Sequence, residues 1–184
     1  GLKGTDGVAA EAARLGAVRH SGDRAAAALK ELLPFGEEMT VLCASGEMGE
    51  SLVKGLGFPH VECVYETGAE TTSDDTKRAA QAMKDADLLL FAGGDGTARD
   101  IFAALGDKAV AIGIPAGVKI HSPVYAIRPE AAGKLALKYL EGRCRHTYEA
   151  EVVDIDEAAY RDGRVSTSLY GYLTVPDERD YMQH

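Results

Sequence analysis

Strand-like and helix-like segments alternate along residues 22–140, and that alternation leaves the chain few ways to fold. Successive strands joined through helices lie parallel and need helices on both faces of their sheet. The expected fold class is therefore α/β: a Rossmann-like, three-layer domain with a mostly parallel sheet. Over residues 23–33, Ala26, Leu29, Leu32 and Leu33 share one helical face, and Pro34-Phe35-Gly36 closes the helix. Strands are expected at 39–44, 61–65, 88–92 and 109–114, with 123–127 a further candidate. Helices are expected at 7–15, 47–56, 98–105 and 129–140, and another leads from residues 71–76 through 86. Pro129 starts the 129–140 helix and Gly142 lies beyond its end, the usual asymmetry of helix termini.

From Thr147 the pattern changes. Two long β-prone stretches, 148–155 and 165–175, flank a segment containing Asp162-Gly163, as in an antiparallel hairpin. The expected organisation is an α/β domain over 1–146, followed over 147–184 by the beginning of a β-rich second domain. The chain starts at Gly1 and stops in a polar passage ending at His184, so both ends are expected to continue in a longer protein.

The chemistry is expected where the apolar strand 88–92 runs into Gly93-Gly94-Asp95-Gly96-Thr97 and then a helix. Open α/β sheets bind ligands at the carboxyl ends of their strands. Three glycines let backbone approach a polyanion closely, and the helix behind them offers free N–H groups and the positive end of its dipole. An aspartate inside a phosphate cradle is unfavourable unless it holds Mg²⁺ or accepts a proton from an attacking hydroxyl. Asp95 is the candidate catalytic residue; the plainer alternative is that Asp95 and Thr97 only cap the helix. No Gly-Lys-Ser/Thr follows and the glycines lack dinucleotide-fingerprint spacing, so this is neither a Walker loop nor that fingerprint.

Lys3 and Lys119 each sit among glycines near the expected ligand edge, where an ammonium can neutralise phosphate. Ala116-Gly117 leaves room for close approach beside Lys119. His121 and Ser122 follow in the same loop, suited to hydrogen bonding or packing. Two roles stay open for Asp75 and Thr76: capping their helix, or also facing a ligand. Arg99 and Asp100 are expected to pair structurally.

The formal net charge is −9 with no basic run, which argues against nucleic acid and acidic membranes as partners but leaves small nucleotides open. Three scattered cysteines, Cys43, Cys63 and Cys144, fit reduced thiols in a reducing compartment. The longest apolar run is too short to span a bilayer, so a cytoplasmic location is expected. The histidines show no metal-site spacing, and no structural metal is expected.

The Gly93-Gly94-Asp95-Gly96-Thr97 loop resembles the hallmark of the superfamily that contains NAD kinases, diacylglycerol and sphingosine kinases and, more distantly, phosphofructokinases. Gly1-Leu2-Lys3-Gly4-Thr5-Asp6-Gly7 and Ile114-Pro115-Ala116-Gly117-Val118-Lys119-Ile120-His121-Ser122 are similar to blocks of a divergent microbial branch of the ATP-NAD kinase family. The resemblance covers the chain from Gly1 to about Val175. It implies an enzyme that phosphorylates the 2′-hydroxyl of the adenosine ribose of NAD to give NADP, with Asp95 as general base. It further implies ATP, or polyphosphate, with Mg²⁺ as donor and NAD as acceptor. The nucleotide contacts it implies come from Gly93, Gly94, Gly96, Thr97, Lys3, Thr5, Asp6, Ala116, Gly117, Lys119 and Ser122.

The resemblance also implies a homo-oligomer. Against the family pattern, the first strand and its Asn-Pro loop would precede Gly1. The usual Asn-Glu pair and the Thr- and Gly-rich ATP loop do not stand in this sequence. A lipid or small-metabolite hydroxyl as acceptor, a non-catalytic nucleotide sensor and an interaction module of the same fold remain as alternatives. No basic amphipathic helix favours the lipid.

Overall fold

The protein is described by a computed structural model that covers residues 19–117 and 119–184. The helix expected over 7–15 lies outside the described residues. Helix α1 (Arg19–Lys30) turns Ala25, Ala28 and Leu29 inward, all fully buried. A 3₁₀ segment, Leu33–Glu38, follows it, with Pro34 in its first turn. Strand β1 (Val41–Ala44) pairs in parallel with β2 (Val61–Tyr65). Between them the expected single helix is broken into a 3₁₀ turn, Gly46–Met48, and α2 (Glu50–Gly55). Gly49 separates the two pieces, with a ψ of −41° and a φ of 165° that no helix uses.

Helix α3 (Ser73–Ala82) is shorter than expected and opens with a capping box. The Thr72 side chain accepts from the Asp75 N–H, and Asp75 Oδ2 accepts the Thr72 N–H at 2.8 Å. Strand β3 (Leu89–Gly93) pairs in parallel with β4 (Ala111–Pro115), and α4 (Asp95–Leu105) connects them. All ten residues of the two strands are buried, as expected of parallel strands covered on both faces. Helix α5 (Pro129–Leu140) has the bounds expected from Pro129 and Gly142.

Strand pairing departs from a continuous sheet. The described strands form two parallel pairs, β1 with β2 and β3 with β4, and one antiparallel pair. The candidate strand at 123–127 is reduced to single bridges, Gly113 to Tyr125 and Ala126 to Met182. The Tyr125 ring fills the space over Gly113, where a Cβ would come within 2.4 Å of it.

The hairpin consists of β5 (Thr147–Ile155) and β6 (Thr167–Pro176). It is closed by a short helix, α6 (Glu157–Arg161), in place of a tight turn. Asp156 caps α6 by accepting the N–H groups of Ala158 and Ala159. Ala150, Val152, Leu173 and Val175 on the hairpin join the same buried cluster as β3, β4 and α4. A bulge after Val152 makes Tyr170 the extra residue. It sets Gly171 against Phe102 of α4, where a Cβ would lie 2.2 Å from the ring.

Cys43 and Cys144 are buried, Cys63 is half-buried, and none is bridged. Burial pushes the Cys63 and Cys144 thiols up from their ordinary value, which disfavours thiolate chemistry. Among the described residues no helix is long and apolar enough to cross a membrane.

Helices α1 and α5 touch through Gly133, where a Cβ would stand 2.0 Å from the Ala28 carbonyl oxygen and 2.8 Å from Glu31 Cβ. Gly133→Ala forces the two helices apart. The expected loss is about 1–3 kcal/mol or more, the cost of overpacking, read as a lower urea midpoint with an unchanged slope.

Candidate functional site

Strand β3 ends at Gly93 and α4 begins at Asp95, so one residue, Gly94, makes the corner at the carboxyl end of a buried strand. Gly93 is required by packing. A Cβ there would lie 2.2 Å from Thr97 Oγ1 and 2.7 Å from Thr97 Cβ, one turn into the helix. Gly94 is the N-cap residue, in extended conformation, and no side chain caps α4. The first turn of α4, Asp95 to Thr97, thus opens at the carboxyl end of β3 behind an N-cap that has no side chain. The hydrogen bonds of the Asp95 side chain run to the second loop and not to its own helix.

The Asp95 side chain turns away from its own helix and is only 7% exposed. His121 N–H donates to both of its oxygens, at 3.1 Å to Oδ1 and 2.9 Å to Oδ2, and Ser122 N–H donates to Oδ1 at 2.9 Å. A carboxylate has about four acceptor positions. Three are engaged by the 121–122 backbone, and among the described residues one on Oδ2 is left.

Two more ties join the same loops. Ala116 N–H donates to the Gly93 carbonyl at 3.0 Å. The buried Tyr125 hydroxyl donates to the Gly94 carbonyl, which also accepts the Ala98 N–H. Phe91 meets the Tyr125 ring edge-on at 5.4 Å between centroids. Tyr125 lies in an apolar stretch that marks no site, and its local signal is Gly113, whose missing side chain makes room for the ring.

Of the expected site residues, Gly93, Gly94, Asp95, Gly96, Thr97, Ala116 and Gly117 lie together at this corner. A Cβ on Gly117 would be 3.6 Å from Gly94 Cα, so the two loops abut. Thr97 is buried at 1% exposure against Gly93, Gly96 is exposed, and Lys119 stands exposed on the second loop. Lys3, Thr5 and Asp6 lie outside the described residues.

Ser122 is fully buried, and its hydroxyl is used in both directions: it donates to the Val153 carbonyl at 2.8 Å and accepts the Val153 N–H at 2.9 Å. This hydroxyl pins the second loop to β5 and has no face toward a nucleotide. Arg99 reaches the hairpin too, with Nη1 3.1 Å from Asp154 Oδ2 and its guanidinium 3.9 Å over the Tyr170 ring. Asp100 accepts the Ser73 hydroxyl at 3.1 Å, which ties α4 to the start of α3. Asp75 caps α3 and also accepts the Tyr65 hydroxyl at 2.7 Å; that bond, first, and burial after it hold the phenol above its ordinary pKa.

Among the described residues no group of three or more His, Cys, Asp or Glu side chains is placed to hold a metal. The donors present suit Mg²⁺ arriving on a triphosphate, which needs only one or two carboxylates from a protein.

A family model described as the ATP-NAD kinase N-terminal domain matches residues 17–144, well over half of the chain. Searches of the curated proteins and of the solved structures returned no match.

Ser122→Ala separates pinning from ligand contact. Removing the hydroxyl strips both backbone groups of Val153 of their partner, at an expected cost of about 1–3 kcal/mol. Thermal denaturation should show that loss while the dissociation constant for ATP, measured well below the melting range, stays within about twofold.

Proposed function

The chain belongs to the ATP-NAD kinase family, and on that premise we propose that it transfers the γ-phosphoryl group of ATP to the 2′-hydroxyl of the adenosine ribose of NAD. The observation that carries this reading is the arrangement around Asp95: a nearly buried carboxylate with one acceptor position left among the described residues, at the start of a helix that opens from a strand's carboxyl end. The backbone of Gly93, Gly94, Gly96 and Thr97 receives phosphate oxygens, and the dipole of α4 favours their charge. Gly117 and Lys119 close on the same charge from the second loop. Mg²⁺ carried by ATP supplies further neutralisation of the triphosphate.

Asp95 Oδ2 takes the proton of the ribose hydroxyl as its oxygen bonds to the γ-phosphorus. The bond from that phosphorus to the β,γ-bridging oxygen breaks, and ADP leaves with the electron pair. Most of the rate comes from holding donor and acceptor in line. The three N–H contacts on Asp95 keep it aimed, so the base needs no reorganisation at the moment of reaction.

The wider reading follows the same lines. The β5–β6 hairpin begins a β-rich lobe that faces the acceptor, after an α/β nucleotide domain ending near residue 146. The protein acts on small nucleotides in the cytoplasm, as a homo-oligomer, without nucleic acid or membrane partners. Polyphosphate is the alternative donor.

Asp95→Asn tests the base. An amide keeps one oxygen for the His121 and Ser122 N–H groups but cannot accept the hydroxyl proton. NADP formation from ATP, Mg²⁺ and NAD should fall by roughly 10²–10⁴-fold, with a thermal melt showing that the variant is folded. Undiminished turnover would remove Asp95 from the chemistry. Nucleotide binding without NADP formation by the unaltered protein would move the acceptor to another hydroxyl compound.

A further inference from the structure

Tyr125 is fully buried and is held both by its backbone and by its ring. Its neighbours in the chain bracket Gly113 of β4: the Val124 carbonyl accepts the Gly113 N–H, and the Ala126 N–H donates to the Gly113 carbonyl, both at 2.9 Å. The Tyr125 carbonyl accepts the Gln183 N–H at 2.9 Å. The ring lies over Gly113 and meets Phe91 edge-on, at an interplanar angle of 68°. From this fixed frame the phenol reaches the Gly94 carbonyl.

Packing does not call for that hydroxyl. A phenylalanine ring would fill the same space, and a buried phenol is costly unless it is bonded. The carbonyl does not call for it either, since Gly94 O already accepts the Ala98 N–H at 3.2 Å, the first hydrogen bond of α4. Tyr125 takes the second lone pair of an oxygen that is already satisfied. What the bond adds is direction. The Gly94 carbonyl and the Asp95 N–H belong to one rigid peptide unit and point opposite ways, and the Cα of Asp95 lies in the same plane. Gly94 is the corner between β3 and α4 and has no Cβ to hinder rotation of that plane. A second donor on its carbonyl keeps the plane from swinging.

We propose that Tyr125 is a positioning residue for the transfer step: its hydroxyl latches the Gly94–Asp95 peptide and so holds the carboxylate at the angle from which Oδ2 meets the acceptor hydroxyl. The inference deepens the kinase reading and rests on it for the reaction. The His121 and Ser122 N–H groups hold the tip of the Asp95 side chain, and Tyr125 holds its root. With both ends fixed the carboxylate keeps one pose. Being fully buried, Tyr125 has no surface for a substrate and acts through Asp95.

Tyr125→Phe keeps the ring and removes only the latch. Steady-state NADP formation by the full chain should show kcat lower by about ten- to a hundredfold, the scale of a small misplacement of a catalytic group. KM for ATP and for NAD should stay within about twofold, since substrate binding is not what the latch serves. Val53→Ala, which removes buried bulk from α2, is the control for lost stability. It should lower the melting temperature and leave kcat unchanged in assays run well below the melt. Unchanged kcat in Tyr125→Phe, a loss in KM alone, or an equal loss of kcat in Val53→Ala overturns the proposal.

Amide hydrogen exchange separates this outcome from failure of the kinase reading. In Tyr125→Phe the Ala98, His121 and Ser122 amides should exchange roughly tenfold faster than in the unaltered protein, the equivalent of one hydrogen bond. If the unaltered protein makes no NADP, the kinase reading fails, while faster exchange still upholds the latch. Unchanged protection at those amides overturns the latch whatever the kinetics.

Discussion

Two backbone N–H groups on the Asp95 carboxylate hold the glycine-loop edge of this protein together. His121 and Ser122 belong to a loop after β4, and Asp95 belongs to the helix after β3. The two strands run side by side, but pairing alone does not decide how the loops beyond them meet. The charge-assisted contacts do, at roughly twice the strength of neutral hydrogen bonds and at a nearly buried position where their loss is costly. Tyr125 and the Ala116 amide complete the join by occupying the Gly94 and Gly93 carbonyls. Every tie lands on the backbone of one loop or the other, which is how a glycine-rich corner, with almost no side chains of its own, acquires a single shape.

The same join changes the meaning of the aspartate. In an isolated loop it is a negative charge in the wrong place, next to where phosphate should bind. Here most of its acceptor capacity is satisfied from behind, and the carboxylate turns to the second loop, away from the amides of α4. The one acidic residue of the first turn of α4 is thus occupied away from its own helix start.

Much of the fold was legible from local pattern. Pro129 and Gly142 bounded α5 to the residue, and the apolar run before Gly93 marked the central strand. The antiparallel pair after Thr147 followed from its composition. What could not be read depends on residues distant in sequence. Tyr125 meets Gly94 across 31 positions, and Ser122 meets Val153 across another 31. Neither separation leaves a periodic trace, so Ser122 read as a nucleotide contact when its hydroxyl belongs to β5. Helix α6 has five residues, too few to show a period.

The Ser122 to Val153 pin also sets an order of events during synthesis. Asp95 leaves the ribosome with its helix, but its partners at 121 and 122 come 26 and 27 residues later, and the strand that fixes Ser122 comes about 30 residues after that. Contacts of such separation close late, after helices and adjacent strands have formed. Until β5 is out, the nascent chain can have its buried strands and yet hold a negatively charged corner with no fixed partner. The glycine corner thus matures late relative to the strands that carry it, and any chain interrupted before Val153 carries the whole glycine motif without the anchor that gives it form.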